Sequence, residues 1–266
     1  MKTILITGLD GSGKSTLLSK LAKEKDGRGY DILFVPQIEA SALDLEPELL
    51  KVAHFINTLN VEGDLKQQPH LKAIALFASM LLFKQLHQFY QNNKLKTLYC
   101  ERHPLIDTGV YARFYASKLN PAAIDSQFFS ALDARFPMEL DSLLQLLPTP
   151  YRTPNVLGRS ATFLQFIYDW FFVEGRFGVK ELIQLFDIPL PDQIYFLNAS
   201  PDILYARIAD RELKEAHESV EVFTKLKSVY EALFDGLKNH TTIEEINANE
   251  IELLNGLFDK INRQHL

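Results

Sequence analysis

The sequence predicts an α/β fold: a five-stranded parallel sheet with helices on both faces and a helical insertion. Three observations predict it. First, the apolar run Ile4-Leu5-Ile6 leads directly into Gly8-Leu9-Asp10-Gly11-Ser12-Gly13-Lys14-Ser15-Thr16 and then Leu17-Leu18-Ser19-Lys20-Leu21, which reads as strand, glycine loop and helix. Second, further short apolar runs lack polar alternation, the pattern of strands buried on both faces. Third, those runs alternate with longer segments of helical periodicity, which implies right-handed crossovers and parallel pairing.

Taken in order, residues 2–6 read as strand and 14–25 as helix, with Gly27 and Gly29 as the stop signal. Ile32-Leu33-Phe34-Val35 is the second strand, ended by Pro36. Residues 46–59 and 67–92 carry apolar residues at helical spacing, among them Leu71, Ile74, Ala75, Ala78, Leu81, Leu82 and Leu86. Thr97-Leu98-Tyr99-Cys100 is the third strand, and helices follow at 107–118 and 121–135, the latter begun by Asn120-Pro121. Pro137, Pro148, Pro150 and Pro154 make 136–160 read as a long loop or a partly disordered excursion. An aromatic-rich helix at 161–174 comes next, and its Phe163, Phe166, Tyr168, Trp170, Phe171 and Phe172 read as core or a hydrophobic lid rather than a base-stacking box. Strand four is Ile194–Leu197 and strand five lies near 242–246, with helices at 200–211, 216–238 and 250–264. The chain is expected to form one domain, 1–266, with 136–189 inserted in it and 207–216 as a lid.

Composition narrows the function. Hydrophobic residues make up 47% and charged residues 23% of the 266, enough to bury a sizeable core. Lys and Arg total 28 against 34 Asp and Glu, a net of −6, so there is no global basic field to hold a nucleic-acid backbone and no nucleic-acid partner is expected. No apolar run approaches the ~18 residues that a membrane span needs, so no membrane partner is expected. The single cysteine, Cys100, has no partner for an internal disulfide, and Met1-Lys2-Thr3 leads into a strand rather than a signal sequence, so a cytoplasmic location is expected.

The glycine loop carries the chemistry. The spacing G-x-x-x-x-G-K-[ST] brings main-chain N–H groups against a nucleotide's phosphates, which a loop of larger residues would hold at a distance. Gly8, Gly11 and Gly13 allow the approach, the helix start near Lys14 adds a positive dipole end, Lys14 reaches the β- and γ-phosphates, and Ser15 ligands Mg²⁺. Asp10, Gly11, Ser12, Gly13, Lys14, Ser15 and Thr16 are therefore the expected ATP-binding residues, with ATP and Mg²⁺ as cofactors. In a parallel sheet ligands bind beyond the carboxyl ends of the strands. That rule gathers Glu39, just past strand two, with Glu101 and Arg102, at the end of strand three, beside Asp10. Glu101 suits a metal-held water or an attacking hydroxyl, with helix capping or an ion pair to Arg102 or another Arg as the alternative. Arg102 suits the transferring phosphoryl group. Arg207 and Arg211 lie four apart on a helix and are placed to swing over the ATP phosphates, although Asp210 and Glu215 offer them ordinary surface pairing. Phe77, on the long 67–92 helix, is the candidate for base stacking.

These residues carry a resemblance. The loop, with Asp two positions after its first Gly, looks like that of thymidylate kinases. Ala75-Leu76-Phe77-Ala78-Ser79, leading to Leu98-Tyr99-Cys100-Glu101-Arg102-His103, is similar to that family's thymine-stacking helix and its Asp-Arg-His strand end. Glu101-Arg102-His103-Pro104 also resembles the Asp-Arg-His-Pro of herpesvirus thymidine kinases, in the related deoxynucleoside kinase group. Asn198-Ala199-Ser200-Pro201 and Ala206-Arg207-Ile208-Ala209-Asp210-Arg211 look like the entry to the Arg-bearing lid of both families. The resemblance implies the P-loop kinase fold.

It departs at four places, one being that residues 136–189 have no counterpart in a compact thymidylate kinase. Thymidylate kinases follow strand two with Arg-Glu-Pro-Gly-Gly, where this chain has Pro36-Gln37-Ile38-Glu39; their base-reading Arg is Leu81 here; and Glu101 replaces Asp. The first expectation is a kinase moving the ATP γ-phosphate to a nucleoside monophosphate, dTMP by resemblance. The alternatives are a deoxynucleoside kinase, favoured by the missing acceptor-phosphate Arg, and a nucleotide-binding interaction protein whose catalysis has drifted. The expected partner is a small nucleotide or nucleoside, and a homodimer is left open. The expected roles are Lys14, Glu101, Arg102 and Arg211 in catalysis, Ser15 and Glu101 at the metal, Arg207 on ATP, and Glu39, Phe77 and Arg102 on the acceptor.

Overall fold

The computed structural model describes residues 1–39, 46–209 and 219–265, without the side chains of Phe114 and Ile251. The chain divides into two compact units: Met1–Phe34 with Tyr90–His103 and Leu190–Leu266, and Val35–Phe89 with Pro104–Pro189.

The first unit holds the whole sheet: β1 (Lys2–Thr7), β2 (Tyr30–Leu33), β3 (Thr97–Cys100), β4 (Gln193–Asn198) and β5 (Thr242–Asn247) in the order β2-β3-β1-β4-β5, all pairs parallel. Its helices are α1 (Lys14–Lys23), α9 (Pro201–Ile208), α10 (Val220–Leu237) and α11 (Ile251–Arg263). Alternation of side chains along the strands sends them to opposite faces. On β4, Phe196 meets the Tyr230 and Phe234 rings of α10, while its neighbour Tyr195 carries Lys260 of α11 over its ring. Both faces are thereby covered, which is why the central strands read as unbroken apolar runs. Tyr30 donates to the Leu21 carbonyl at the end of α1, and Tyr99 shares a 2.8 Å hydrogen bond with His265 just past α11. Cys100 is fully buried in β3. β2 begins and ends two residues earlier than its apolar run suggested, because Gly29 accepts from Lys96 and Thr97 and starts the pairing there.

The second unit is helical among the described residues: α2 (Pro47–Leu65), most of α3 (Pro69–Asn92), α4 (Pro104–Tyr115), α5 (Ser126–Arg135), α6 (Pro137–Gln145), α7 (Arg159–Ile167) and α8 (Val179–Phe186). The expectation of a long loop over 136–160 is corrected by α6. Pro137 stands at its first turn, where a missing N–H costs nothing, and Leu140, Leu143 and Leu144 are buried. Pro148 precedes a 3₁₀ turn, Thr149–Tyr151, and Pro150 lies within it. Asp133 of α5 then caps α7, accepting from the Arg159 and Ser160 amides at 2.6 and 2.9 Å. Gly158 precedes those amides with φ +103°, and a Cβ there would stand 2.2 Å from the Asp133 carboxylate. The 161–174 helix is α7 continued by a π-helical turn, Tyr168–Val173. The sequence reading had no element at α8, an eight-residue helix that buries Leu182 and Phe186.

Candidate functional site

The site in the first unit is built on the loop between β1 and α1. Gly11 and Gly13 have φ +84° and +93°, a region open to glycine and strained for other residues. Space adds to the need at Gly11, where a Cβ would come 2.8 Å from the Leu204 carbonyl of α9; at Gly13 the near atom is the end of the flexible Leu254 side chain of α11, 2.7 Å away, so there the backbone angle alone carries the argument. Gly13 also occupies the N-cap of α1, with no side chain capping it and no acidic residue in the first turn. The first-turn N–H groups of a helix have no intrahelical partners, so this end is a positive, uncapped cradle.

Around it the expected residues assemble. Lys14 is 5% exposed and holds the Leu9 carbonyl at 3.2 Å and Asp10 at 3.5 Å. Arg102 lies 4.0 Å from the same Asp10 oxygen, so one carboxylate stands between two cations. Glu101 is set by the sheet, since its amide donates to the Leu33 carbonyl one step past β3. Its carboxylate accepts from the Ser15 hydroxyl at 2.8 Å. Ser12 is fully buried, and its hydroxyl has no hydrogen-bond partner among the described residues, an orphaned donor inside an anion cradle. Thr16 is exposed on the first turn of α1.

A magnesium-bound triphosphate fits this set. The glycine cradle admits phosphate oxygens, the Ser12 hydroxyl offers them a donor, and the Ser15 and Glu101 oxygens form the hard donor pair that Mg²⁺ accepts alongside water and phosphate.

Arg207 takes a different place from the one expected. Its guanidinium donates to the backbone carbonyls of Gly11 (3.3 Å), Ala248 (2.7 Å) and Asn249 (3.0 Å), behind the loop. Arg211, with Asp210 and most of the 207–216 lid, lies outside the described residues.

Glu39 and Phe77 belong to the second unit. Glu39 is exposed, directly after Ile38, whose amide and carbonyl are both engaged by the Asn57 side chain of α2 at 2.8 and 2.7 Å. Phe77 is 6% exposed, its ring within 5.4–6.0 Å of the Phe163, Phe166, Phe171 and Phe186 rings. It packs as a core ring of that unit. Two residues escaped the sequence reading. Asn57 interrupts the apolar run of α2, a visible signal, whereas Asn249 sits in a short polar turn with nothing to mark it.

Comparison with solved structures bears on the fold. Over 98% of this chain and 99% of the other, the structure is similar to deoxyadenosine kinase from M. mycoides with the products dCMP and a flexible dCDP bound, at a TM-score of 0.50 and 18% identity. The chain has the P-loop kinase fold. The same M. mycoides enzyme with dATP bound matches at a TM-score of 0.47 and 17% identity, again over 98% and 99% of the two chains. No family model and no curated protein matches the sequence. Within the P-loop kinase fold, the cluster of Asp10, Lys14, Ser15, Glu101 and Arg102 occupies the strand ends where such sheets bind ligands. No helix among the described residues is long and apolar enough to cross a membrane.

Proposed function

We propose that the protein is an ATP-dependent deoxynucleoside kinase, transferring the γ-phosphoryl group of ATP to a deoxynucleoside hydroxyl. The observation that carries this reading is the pairing of Glu101 with Ser15 at 2.8 Å, with Arg102 beside Asp10 on the same loop. A carboxylate and an arginine at the end of the strand next to β1 suit phosphoryl transfer, which asks a protein mainly for positioning and charge neutralisation.

In this reading Lys14 and the loop amides hold the β- and γ-phosphates, and Arg102 neutralises charge on the transferring group. Mg²⁺ held by Ser15 and Glu101 would supply positive charge to offset that on the phosphates. Glu101 and Ser15 are the oxygen donors assigned to that ion, and Arg211 is assigned to the phosphates as a lid residue. The acceptor oxygen attacks phosphorus, the bond to the ADP oxygen breaks, and the acceptor proton passes to a carboxylate. Glu39 is assigned that base role, leaving Glu101 to the metal.

Three features favour a nucleoside over dTMP as acceptor. No arginine follows β2 to hold an acceptor phosphate, Leu81 stands where the thymidylate kinases read the base with arginine, and Phe77 is packed among four rings. The likeness in fold to a deoxyadenosine kinase supports the same choice. A thymidylate kinase activity is the second reading, favoured by Asp10 in the loop.

The test is ADP release measured across deoxynucleosides and their monophosphates with Mg·ATP. Turnover with a deoxynucleoside is the expected result. Turnover with dTMP alone moves the protein to the second reading, and ATP binding without turnover on any acceptor replaces both with a nucleotide-binding interaction protein.

A further inference from the structure

We propose that Arg207 is a positioning residue that fastens the phosphate loop to the turn between β5 and α11, so that donor affinity depends on a side chain that does not touch the donor. The inference rests on the ATP-binding reading above and assigns a different role to one residue of that site.

The Gly11–Ser12 peptide lies at the crown of the loop. Its carbonyl is held by Arg207, and its N–H donates to the Leu9 carbonyl at 3.1 Å, so both ends of one peptide plane are fixed. Gly11 is free to leave φ +84° at little steric cost, and Arg207 opposes such a rotation. The other two carbonyls belong to a turn that is itself tied down. The Ala248 amide donates to the Asn198 carbonyl at 2.7 Å, and the Asn249 side chain accepts from the Ser200 amide at 2.8 Å, at the start of Arg207's own helix. Three N–H···O bonds already engage the fork, and reaching a phosphate would require breaking them. A loop pre-set in its binding conformation binds more tightly because less ordering remains to be done on binding.

The experiment compares wild type, Arg207→Met and Arg207→Lys by Mg·ATP titration without acceptor, by steady-state kinetics and by amide exchange of the nucleotide-free proteins. Hydrogen bonds from a charged donor are worth enough that Arg207→Met should weaken Mg·ATP binding about ten- to hundredfold. The rate at saturating ATP should fall far less, the KM for the acceptor should stay constant, and Arg207→Lys should be intermediate. Exchange should accelerate at residues 11–13 and 248–249. A collapse of kcat with unchanged Mg·ATP affinity and unchanged exchange would overturn the proposal and put Arg207 on the transferring phosphoryl group. If wild type itself fails to bind Mg·ATP, the kinase reading falls, while the exchange comparison still decides whether Arg207 holds the loop. Should Arg207→Met not fold, Arg207→Lys carries the same comparison.

Discussion

The Ser15 hydroxyl donates to Glu101 across 2.8 Å, joining residues 86 positions apart in the chain. One stands on the first turn of α1, the other one step beyond β3, and the parallel pairing of β1 with β3 sets the distance between them. Both oxygens are hard donors suited to Mg²⁺, and the present bond joins them directly. Glu101→Gln keeps the shape and removes the charge. Removing one group that stabilises a developing charge costs about 10²–10³ in kcat, and the variant should also need more Mg²⁺ for half-maximal rate. A magnesium titration indistinguishable from wild type would exclude Glu101 from the metal.

Lys14 is buried against the loop, with Leu9 and Asp10 as its present partners. In Lys14→Ala both ATP affinity and turnover should fall, each by about tenfold or more, the scale of a charge-assisted bond to phosphate. Isothermal titration with Mg·ATP reads the first and ADP release the second. Unchanged turnover means that the site has been assigned to the wrong loop.

Asn57 holds both backbone polar groups of Ile38, the residue before the assigned base Glu39. Glu39→Gln should lower kcat by about 10²–10⁴, the span of general base catalysis. Asn57→Ala should lower it by about ten- to hundredfold through misplacement of the base, with the KM for ATP unchanged. Combined with Glu39→Gln, Asn57→Ala should add nothing further. An equal drop in both backgrounds would separate Asn57 from Glu39.

Phe77 separates a packing role from a stacking one. A phenylalanine enclosed by four rings leaves a cavity when truncated, and Phe77→Ala should cost about 3–5 kcal/mol, read as a large fall in Tm. A variant with native Tm and a raised KM for the acceptor would return Phe77 to the base site.

Glu62 supplies a pH dependence. Hydrogen bonds from Arg135 and Lys66, at 2.8 and 2.9 Å, hold its carboxyl at about 2, below the ordinary 4.5. A depressed folded value means that the stabilisation is complete above pH 4.5 and is lost as pH falls toward 2. The effect is modest because the cations are solvent-facing, and salt weakens it. In Glu62→Gln the urea midpoint should lose part of its acid sensitivity between pH 4.5 and 2, measured against wild type at equal salt.

The phosphate loop was legible because its requirements are local. Glycines with positive φ, a helix that starts at Lys14 and a strand that ends at Thr7 all follow from neighbours in sequence. Glu101 and Arg102 were legible through one rule of parallel sheets, that functional residues follow the strands. Residues 136–160 misled because four prolines look like punctuation, whereas Pro137 occupies the helical position that tolerates it.

The sequence alone determined the strand–loop–helix core and which carboxylate and cations gather at the strand ends, since periodicity and glycine geometry are written residue by residue. Tertiary structure decided what Arg207 holds, what pins Ile38 and what surrounds Phe77. The partners there are backbone carbonyls for Arg207, the Asn57 side-chain amide for Ile38, and rings far along the chain for Phe77. A carbonyl is the same at every residue, so no pattern of side chains announces which of them a guanidinium will meet.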